Sequence, residues 1–236
     1  MRTTIIRILI LIITCLCAKL DLPAQQIIGA SGLLRSPSAD MYPDGTAIIG
    51  GNYLNQEVLP ATFNYNSGNY FIGVTFLPFM EIEYICTIMK LKDGHINQDR
   101  SLSVKFRLLT EKKWYPSIAL GGNDVYSFGD AKKNANNYFS NFYIALTKHL
   151  YIKKEEIGFH IAYRNFLRPD NALWNGLTGG ITYRPHFYTP LQFIAEYASR
   201  QINIGADILL FKHISLLAML QNGKYFSGGI SFHFLL

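Results

Sequence analysis

The chain has 236 residues and a formal net charge of +6; aromatic residues make up 14% of it and charged residues only 16%. A charged fraction this far below the usual ~25%, with so many aromatics, excludes a disordered chain. The basic residues are scattered along the sequence, so the charge predicts no nucleic-acid partner.

Residues 1–24 are typical of a secretory signal peptide. Two arginines precede an apolar core at residues 8–17, and a small residue for cleavage follows at Ala18 or at Ala24. We expect cleavage after Ala24. This cleavage removes two of the three cysteines, so Cys86 has no partner for an intrachain disulfide. The sequence therefore predicts export through a cleaved leader.

Residues 25–44 show no alternation of polar and apolar side chains. Gly29 and Gly32 permit tight turns, and Pro37 lacks the backbone donor that a sheet ladder requires. A Pro-Asp-Gly turn signal at residues 43–45 then leads into the first strand. Two interpretations stay open for this segment: an ordered N-terminal lead-in, or a plug in the periplasmic mouth of a barrel.

Residues 45–236 alternate with a period of two, which predicts β-strands. In residues 101–109, for example, Leu102, Val104, Phe106 and Leu108 share one face, and Ser, Lys and Arg occupy the other. No apolar run in this region reaches the 18 residues of a transmembrane helix. Twelve alternating runs are recognised, near residues 45–54, 69–77, 80–89, 101–109, 116–126, 138–149, 157–165, 177–184, 191–199, 202–211, 213–221 and 226–236.

The connections between these runs favour an all-β fold, an antiparallel transmembrane β-barrel of about 12 strands. If the first strand runs outward from the periplasm, every second connection is a short turn, and the longer loops lie at the opposite end, as in outer-membrane barrels. The very short connection near residues 200–201 breaks this rule, so 10 or 14 strands stay possible. The main alternative is a soluble secreted β-sandwich or lipocalin-like barrel, in which the apolar faces point inward.

The polar face of the strands predicts a lumen lined by charged side chains with possible glycan contacts. Water inside the barrel tolerates such charges, whereas lipid does not. A hairpin around residues 90–100 predicts that Glu83 lies opposite Arg107 as a cross-strand ion pair. The predicted lumen-lining residues are Glu81, Glu83, Lys105, Arg107, His160, Arg164, Arg184, Glu196 and Asp207.

No sequence motif indicates catalysis. There is no P-loop, dinucleotide fingerprint or metal-ligand spacing, so no cofactor and no metal are predicted. His160 is the best candidate base, but no Ser with a carboxylate stands at a convincing spacing, and we interpret it as a wall residue. Asp99 and Arg100 either bind a ligand or, as we favour, pair with a neighbouring loop.

Four blocks of the sequence resemble the YjbH-like family of outer-membrane proteins, over roughly residues 29–150. Their order along the chain makes them more specific together than each is alone. The blocks are Gly29-x-x-Gly32-Leu33 with Pro37-Ser38-Ala39 and Asp44-Gly45, Phe76-Leu77-Pro78-Phe79-Met80-Glu81, Asp99-Arg100-Ser101 with Lys105-Phe106-Arg107-Leu108-Leu109, and Tyr115-Pro116-Ser117-Ile118-Ala119-Leu120-Gly121 with Asp124.

This resemblance implies a non-enzymatic barrel in the outer membrane of a Gram-negative bacterium that assists export or surface assembly of an exopolysaccharide. The implied partners are the lipid bilayer, the exopolysaccharide and export-system proteins. Typical members are longer than this chain, which is similar to a short, single-barrel member. Two other functions stay open: a narrow porin for small solutes, and an outer-membrane enzyme that modifies lipid or glycan.

Overall fold

The alternating runs form twelve β-strands in a computed structural model, which describes residues 22–60, 63–90, 95–127 and 137–236. Residues 1–21 of the predicted signal peptide lie outside the described residues. The strands are β1 (Thr46–Leu54), β2 (Ser67–Phe76), β3 (Met80–Lys90), β4 (Ile96–Leu109), β5 (Ser117–Ser127), β6 (Asn141–Ile152), β7 (Glu155–Phe166), β8 (Gly176–Arg184), β9 (Leu191–Ala198), β10 (Ile202–Leu210), β11 (Ile214–Gln221) and β12 (Tyr225–Leu235).

Each strand pairs antiparallel with its neighbours in sequence, and β1 closes the sheet by pairing with β12. The closing register places Thr46 opposite Leu235 and Gly50 opposite Ser231. Closure leaves no strand with an unpaired edge, so the ladder satisfies the backbone groups of every strand. The predicted all-β, 12-strand antiparallel barrel is confirmed.

The barrel has two different ends. β1 begins and β12 finishes at one of them, which we call the turn end; its connections are short and include residues 77–79, 153–154 and 211–213. The opposite loop end carries longer connections, such as residues 55–66. Its short connection at residues 199–201 is a tight hairpin in which Ser199 and Arg200 both have positive φ.

The predicted pairing of Glu83 with Arg107 is wrong. Glu83 lies opposite Ser103, and Lys105 lies opposite Glu81. β4 begins at Ile96 rather than at residue 101, so the ladder extends to the pair Lys90 and Ile96 and the register moves by four residues. An even shift leaves both side chains on the same face of the sheet while it changes their partners.

Apolar side chains cover the outside of the barrel and polar side chains line its inside. Phe106 and Phe159 are 42% and 44% exposed, whereas Lys105 and Arg164 are 2% and 4% exposed. This distribution is the reverse of that in a water-soluble barrel and is the one that a membrane-spanning barrel requires.

The described helical segments are short 3₁₀ turns in the connections, at Gln56–Val58, Pro169–Trp174 and His186–Tyr188. None of the helices in this part of the chain has the length and apolar character needed to cross a membrane.

Residues 22–44, which we call the plug, fill the lumen. The plug runs from the turn end, where Leu22 accepts a hydrogen bond from Arg184, to the loop end, and returns to β1. Bonds within the plug hold it as an irregular hairpin, for example from Ile27 N to Leu34 O at 2.9 Å. Residues 22–24, which the predicted cleavage after Ala24 would remove, lie in the lumen as well.

An apolar cluster closes the lumen at the loop end. Ile27, Leu33 and Leu34 from the tip of the plug pack there with Val58 and other side chains of the loop between β1 and β2. All four are buried to 3% exposure or less. This contact explains why a few large apolar wall residues, such as Ile194, Leu217 and Met219, point into a lumen that is otherwise polar.

The outward apolar surface generates a test with arginine substitutions. Ile161 lies in the middle of β7 and is 47% exposed on the outside. We expect Ile161→Arg to lower the free energy of unfolding in a lipid bilayer by about 2–4 kcal/mol, the usual cost of arginine at the bilayer midplane. Denaturant titration of protein in lipid vesicles measures this change.

Leu173→Arg is the matched control, because Leu173 is similarly exposed at 63% but lies in a loop-end 3₁₀ turn. Its expected cost is about 0–1 kcal/mol. Equal costs for the two substitutions would show that lipid does not surround β7.

Candidate functional site: the interface between plug and lumen wall

The plug has an irregular backbone, so many of its peptide groups lack partners within the plug itself. Buried peptide groups need hydrogen bonds. The inward side of the barrel supplies them, because every second residue of each strand points into the lumen. The interface between the plug and this polar wall is therefore the candidate functional site.

Glu196 of β9 makes the most concentrated contact with the plug. Its carboxylate accepts hydrogen bonds from three consecutive plug amides, Leu34 N at 3.2 Å, Arg35 N at 2.9 Å and Ser36 N at 3.0 Å. Asn203 Nδ2 donates a fourth bond at 2.7 Å. A buried carboxylate surrounded by four donors forms strong, charge-assisted hydrogen bonds, and it fixes the returning arm of the plug.

Glu81 and Lys105 hold the middle of the plug from neighbouring strands. Glu81 accepts bonds from Ser31 N at 3.0 Å and Ser31 Oγ at 2.8 Å. Lys105 Nζ donates to Ser31 O at 2.6 Å and to Asp40 O at 3.0 Å. The two opposite charges thus compensate each other while they bind the plug at Ser31 and at Asp40.

Arginines bind the plug carbonyls. Arg164 of β7 donates to Arg35 O at 2.9 Å, and Arg184 of β8 donates to Leu22 O at 2.9 Å. Arg35 itself reaches out of the plug, donates to Gln201 and to Val58 O, and lies over the Trp174 ring.

Two glycines allow the plug to lie close against its surroundings. Gly29 has φ +109°, and a Cβ there would lie 2.5 Å from Glu83 Oε1 and 2.9 Å from Phe71. A Cβ at Gly32 would lie 2.4 Å from the Gln26 side chain. Both glycines belong to the first block of the family resemblance, and the structure gives each of them a steric reason.

A cluster of two histidines and two carboxylates lies where the plug returns to the turn end. Asp40 Oδ2 lies 3.7 Å from His149 Nε2 and 3.6 Å from His160 Nδ1. Glu111, in the turn between β4 and β5, accepts bonds from His149 Nδ1 and Lys148 Nζ at 2.8 and 2.9 Å. Burial raises the pKa of Glu111, but these hydrogen bonds outweigh burial and hold the pKa below its usual value.

The other predicted lumen residues have different environments. Glu83 is buried, and its two carboxylate oxygens have no hydrogen-bond partner among the described residues. Asp207 accepts the Ser215 hydroxyl, whose Oγ lies 2.8 Å from both carboxylate oxygens, so it binds the wall rather than the plug. Arg107 is half-buried near the turn end, where it donates to Pro78 O.

The remaining residues of the family resemblance lie at several places. Pro37 bridges to Gly32 within the plug, and Ser38 Oγ accepts a bond from Asp40 N at 3.2 Å. Asp44 is exposed, and Gly45, with φ +77°, forms the turn into β1. On β4, Asp99 is buried, whereas its neighbour Arg100 is exposed.

Two small cavities lie between the plug and the wall among the described residues. A cavity near Arg35, Arg164 and Trp174 has a volume of about 30 Å³, and another beside Glu83 and Tyr143 has about 10 Å³. Such volumes accommodate a water molecule or two and no more. These two spaces are too small for a hydrated sugar chain.

The sequence reasoning missed the plug residues that make the contacts. Ser31 and Asp40 were not singled out, and neither were the wall residues His149 and Asn203. The inward parity of His149 on β6 was available as a signal, but a polar residue in an irregular segment shows no such pattern. The wall residue that a polar plug residue such as Ser31 or Asp40 contacts depends on how the plug lies in the lumen.

These features define a class: a β-barrel with an apolar outer surface and a polar lumen closed by its own N-terminal segment. The chain belongs to the YjbH family, whose model is described as exopolysaccharide biosynthesis protein YbjH and matches residues 24–159. The matched region contains nearly all of the plug and the strands up to the first part of β7.

Two solved structures are similar to this chain at low sequence identity. Outer membrane phospholipase A from Escherichia coli is 12% identical, with a TM-score of 0.37 over 83% of this chain and 91% of that chain. The Salmonella typhi outer membrane phospholipase dimer with bound calcium is 14% identical, with a TM-score of 0.34 over 84% of this chain and 92% of that chain. Comparison with curated protein sequences gives no match.

Gly29 provides a test of how closely the plug must approach the wall. We expect Gly29→Ala to destabilise the protein by about 1–3 kcal/mol through backbone strain, with a further loss from the clash with Glu83 and Phe71. We also expect trypsin to cleave after Arg35 more readily in this variant, because the plug is displaced. Denaturant titration and limited proteolysis of folded protein in detergent measure the two effects.

Gly176→Ala separates the clash from the strain. Gly176 has φ +108°, nearly the same as Gly29, but a Cβ there meets nothing within 4 Å. This control should show the backbone strain alone and no added cleavage at Arg35. If both variants behave alike, close packing of the plug at Gly29 is not required.

Proposed function

We propose that this chain is a non-enzymatic outer-membrane β-barrel that assists export or surface assembly of an exopolysaccharide, and that the plug keeps its lumen closed until that step. The observation that carries the proposal is a charged lumen wall whose ligand is the plug, in a chain of the exopolysaccharide biosynthesis family.

The outer surface supports the location. Exposed phenylalanine and isoleucine side chains cover the outside of the barrel. A closed barrel also makes all its backbone hydrogen bonds between strands, as a protein within lipid must. In this location the turn end faces the periplasm and the loop end faces outward, as in bacterial outer-membrane barrels. The end of the plug that joins β1 then lies on the periplasmic side, where export-system proteins can reach it.

The contacts of the plug suggest which wall residues bind a glycan. Glu81, Glu196 and Arg164 bind amide and carbonyl groups of the plug. Sugar hydroxyls donate and accept hydrogen bonds of the same kind, so these residues can bind a sugar chain in place of the plug. Displacement of the plug by a partner protein would therefore expose a wall suited to a hydrated glycan.

The filled lumen argues against the narrow-porin alternative in this conformation. A passive porin needs a continuous water-filled path, and the described spaces beside the plug hold only a few waters.

Loss of the gene should remove exopolysaccharide from the cell surface while glycan synthesis inside the cell continues. The expected result is reduced surface-bound and secreted polysaccharide, measured by sugar analysis of washed cells and medium, and restored by the wild-type gene. Surface polysaccharide that stays at the wild-type level in the deletion strain contradicts the proposed function.

Planar-bilayer recordings of purified protein test the closed state of the lumen. We expect wild-type protein to show little steady conductance. Glu196→Gln should increase the frequency of open events, because an amide at this position accepts fewer bonds and leaves plug amides unpaired, at a cost of about 1.5–3 kcal/mol per charge-assisted bond.

Asp207→Asn is the matched control, since Asp207 is a buried lumen carboxylate that binds Ser215 of the wall. It should leave the conductance at the wild-type level. A large, steady conductance of the wild-type protein would instead favour the porin interpretation.

A further inference from the structure

Asp40, His149 and His160 come together at the turn end of the lumen, although they lie far apart in the sequence. We propose that these three side chains bind a divalent transition-metal ion of the Zn²⁺ type, which fastens the plug to the barrel wall. The ligand atoms are one carboxylate oxygen from the plug and one imidazole nitrogen from each of the neighbouring strands β6 and β7.

The distances suit such an ion. All three ligand atoms lie within 4.8 Å of one another, and Asp40 Oδ2 is 3.7 Å from His149 Nε2 and 3.6 Å from His160 Nδ1. Tetrahedral zinc with bonds near 2.0–2.1 Å holds its ligand atoms roughly 3.3 Å apart. The two distances from Asp40 Oδ2 exceed this spacing by about 0.3–0.4 Å, so a bound ion would draw the three side chains slightly closer together.

The donor types are those of a transition metal rather than of calcium or magnesium. Imidazole nitrogens suit Zn²⁺, Ni²⁺ and Cu²⁺, whereas hard cations take oxygen ligands almost exclusively. Three protein ligands leave a fourth position for water, as in sites with two histidines and one carboxylate.

Glu111 supplies an independent indication of a metal site. Its carboxylate lies 2.8 Å from His149 Nδ1, and with the Nδ1 proton donated to Glu111, Nε2, 3.7 Å from Asp40 Oδ2, is the nitrogen left to bind an ion. A carboxylate on the far nitrogen of a ligand histidine is the common outer-shell arrangement in zinc proteins. Lys148, at 2.9 Å, balances the charge of Glu111.

A hydrogen bond also orients the His160 ring, but here Nδ1 rather than Nε2 faces Asp40. Its Nε2 lies 3.0 Å from Thr182 Oγ1, and donation to this hydroxyl leaves Nδ1 as an acceptor on the Asp40 side. Thr147 Oγ1, 3.1 Å from Nδ1, also accepts the Ala39 amide of the plug, so it can release the ring without losing that bond.

Gly158 provides the space for the two imidazoles. It pairs with His149 across the β6–β7 ladder, and a Cβ there would lie 2.7 Å from His160 Nε2 and 3.0 Å from His149 Cδ2. Any other residue at this position would clash with both rings and with Thr182 Oγ1.

The ion would attach the returning arm of the plug to two strands at the mouth of the barrel. Plug release would then depend on metal occupancy as well as on the hydrogen bonds deeper in the lumen. This inference does not need the polysaccharide role, because it concerns only an ion and the residues of this chain.

Isothermal titration of Zn²⁺ into folded, untagged, EDTA-treated protein in detergent tests the site. We expect one equivalent bound by the wild type and by the controls Asp44→Asn and His186→Gln, which change an exposed carboxylate and an exposed imidazole at the same end. Asp40→Asn and His149→Gln should lose this binding. Glu111→Gln should weaken it about 10- to 100-fold.

Hydrogen exchange of the plug amides tests whether the bound ion fastens the plug to the barrel wall or only binds there. Addition of Zn²⁺ should slow hydrogen exchange of the amides of residues 36–44 in the wild type. In Asp40→Asn the exchange rate of these amides should stay the same with and without Zn²⁺. Far-UV circular dichroism and heat-modifiable gel mobility show whether each variant is folded. The proposal is overturned if the wild type binds no Zn²⁺, if folded Asp40→Asn binds it as tightly, or if bound Zn²⁺ leaves plug exchange unchanged.

Discussion

The carboxylate of Glu196, with three consecutive plug amides directed at it, illustrates the constraint that controls this structure. Neither the irregular plug nor the charged lumen wall is stable in a dry interior alone, because each buries polar groups without partners. Together they satisfy many of these hydrogen bonds. The barrel wall and the plug therefore depend on each other for these bonds, and release of the plug requires that something else, water or a ligand, take over those bonds.

The outside of the barrel answers a different requirement. Strand closure satisfies the backbone, so the outward side chains are free to be apolar all round, and Phe106, Phe159 and Ile161 are examples. The two surfaces of one sheet thus face two solvents. The proposed role follows from this separation: an apolar exterior keeps the protein in a membrane, and a charged interior presents groups that bind either the plug or a hydrated polymer.

The parts of the candidate site differed in how far the sequence could predict them. Lys105, Arg164 and Glu196 could be placed on the inner face because each occupies a fixed parity in an alternating strand. Their partners could not be predicted, because Ser31, Arg35 and Asp40 lie in a segment without periodicity. The pairing of Glu83 with Arg107 failed for a related reason: alternation sets the face of a residue but not which even register the hairpin adopts.

The sequence by itself determined the alternating strands, a count of about 12, their antiparallel order and which residues share a face, because these depend on local alternation and on the spacing of turns. The closure at twelve strands and the inward direction of the polar face came from the tertiary structure. Only the tertiary structure decided what occupies the lumen and which side chains meet. Asp40 joins His149 and His160 through a contact that bridges more than a hundred residues of chain. Such a contact depends on how barrel closure positions the strands around the plug, and no local pattern of residues encodes that distance.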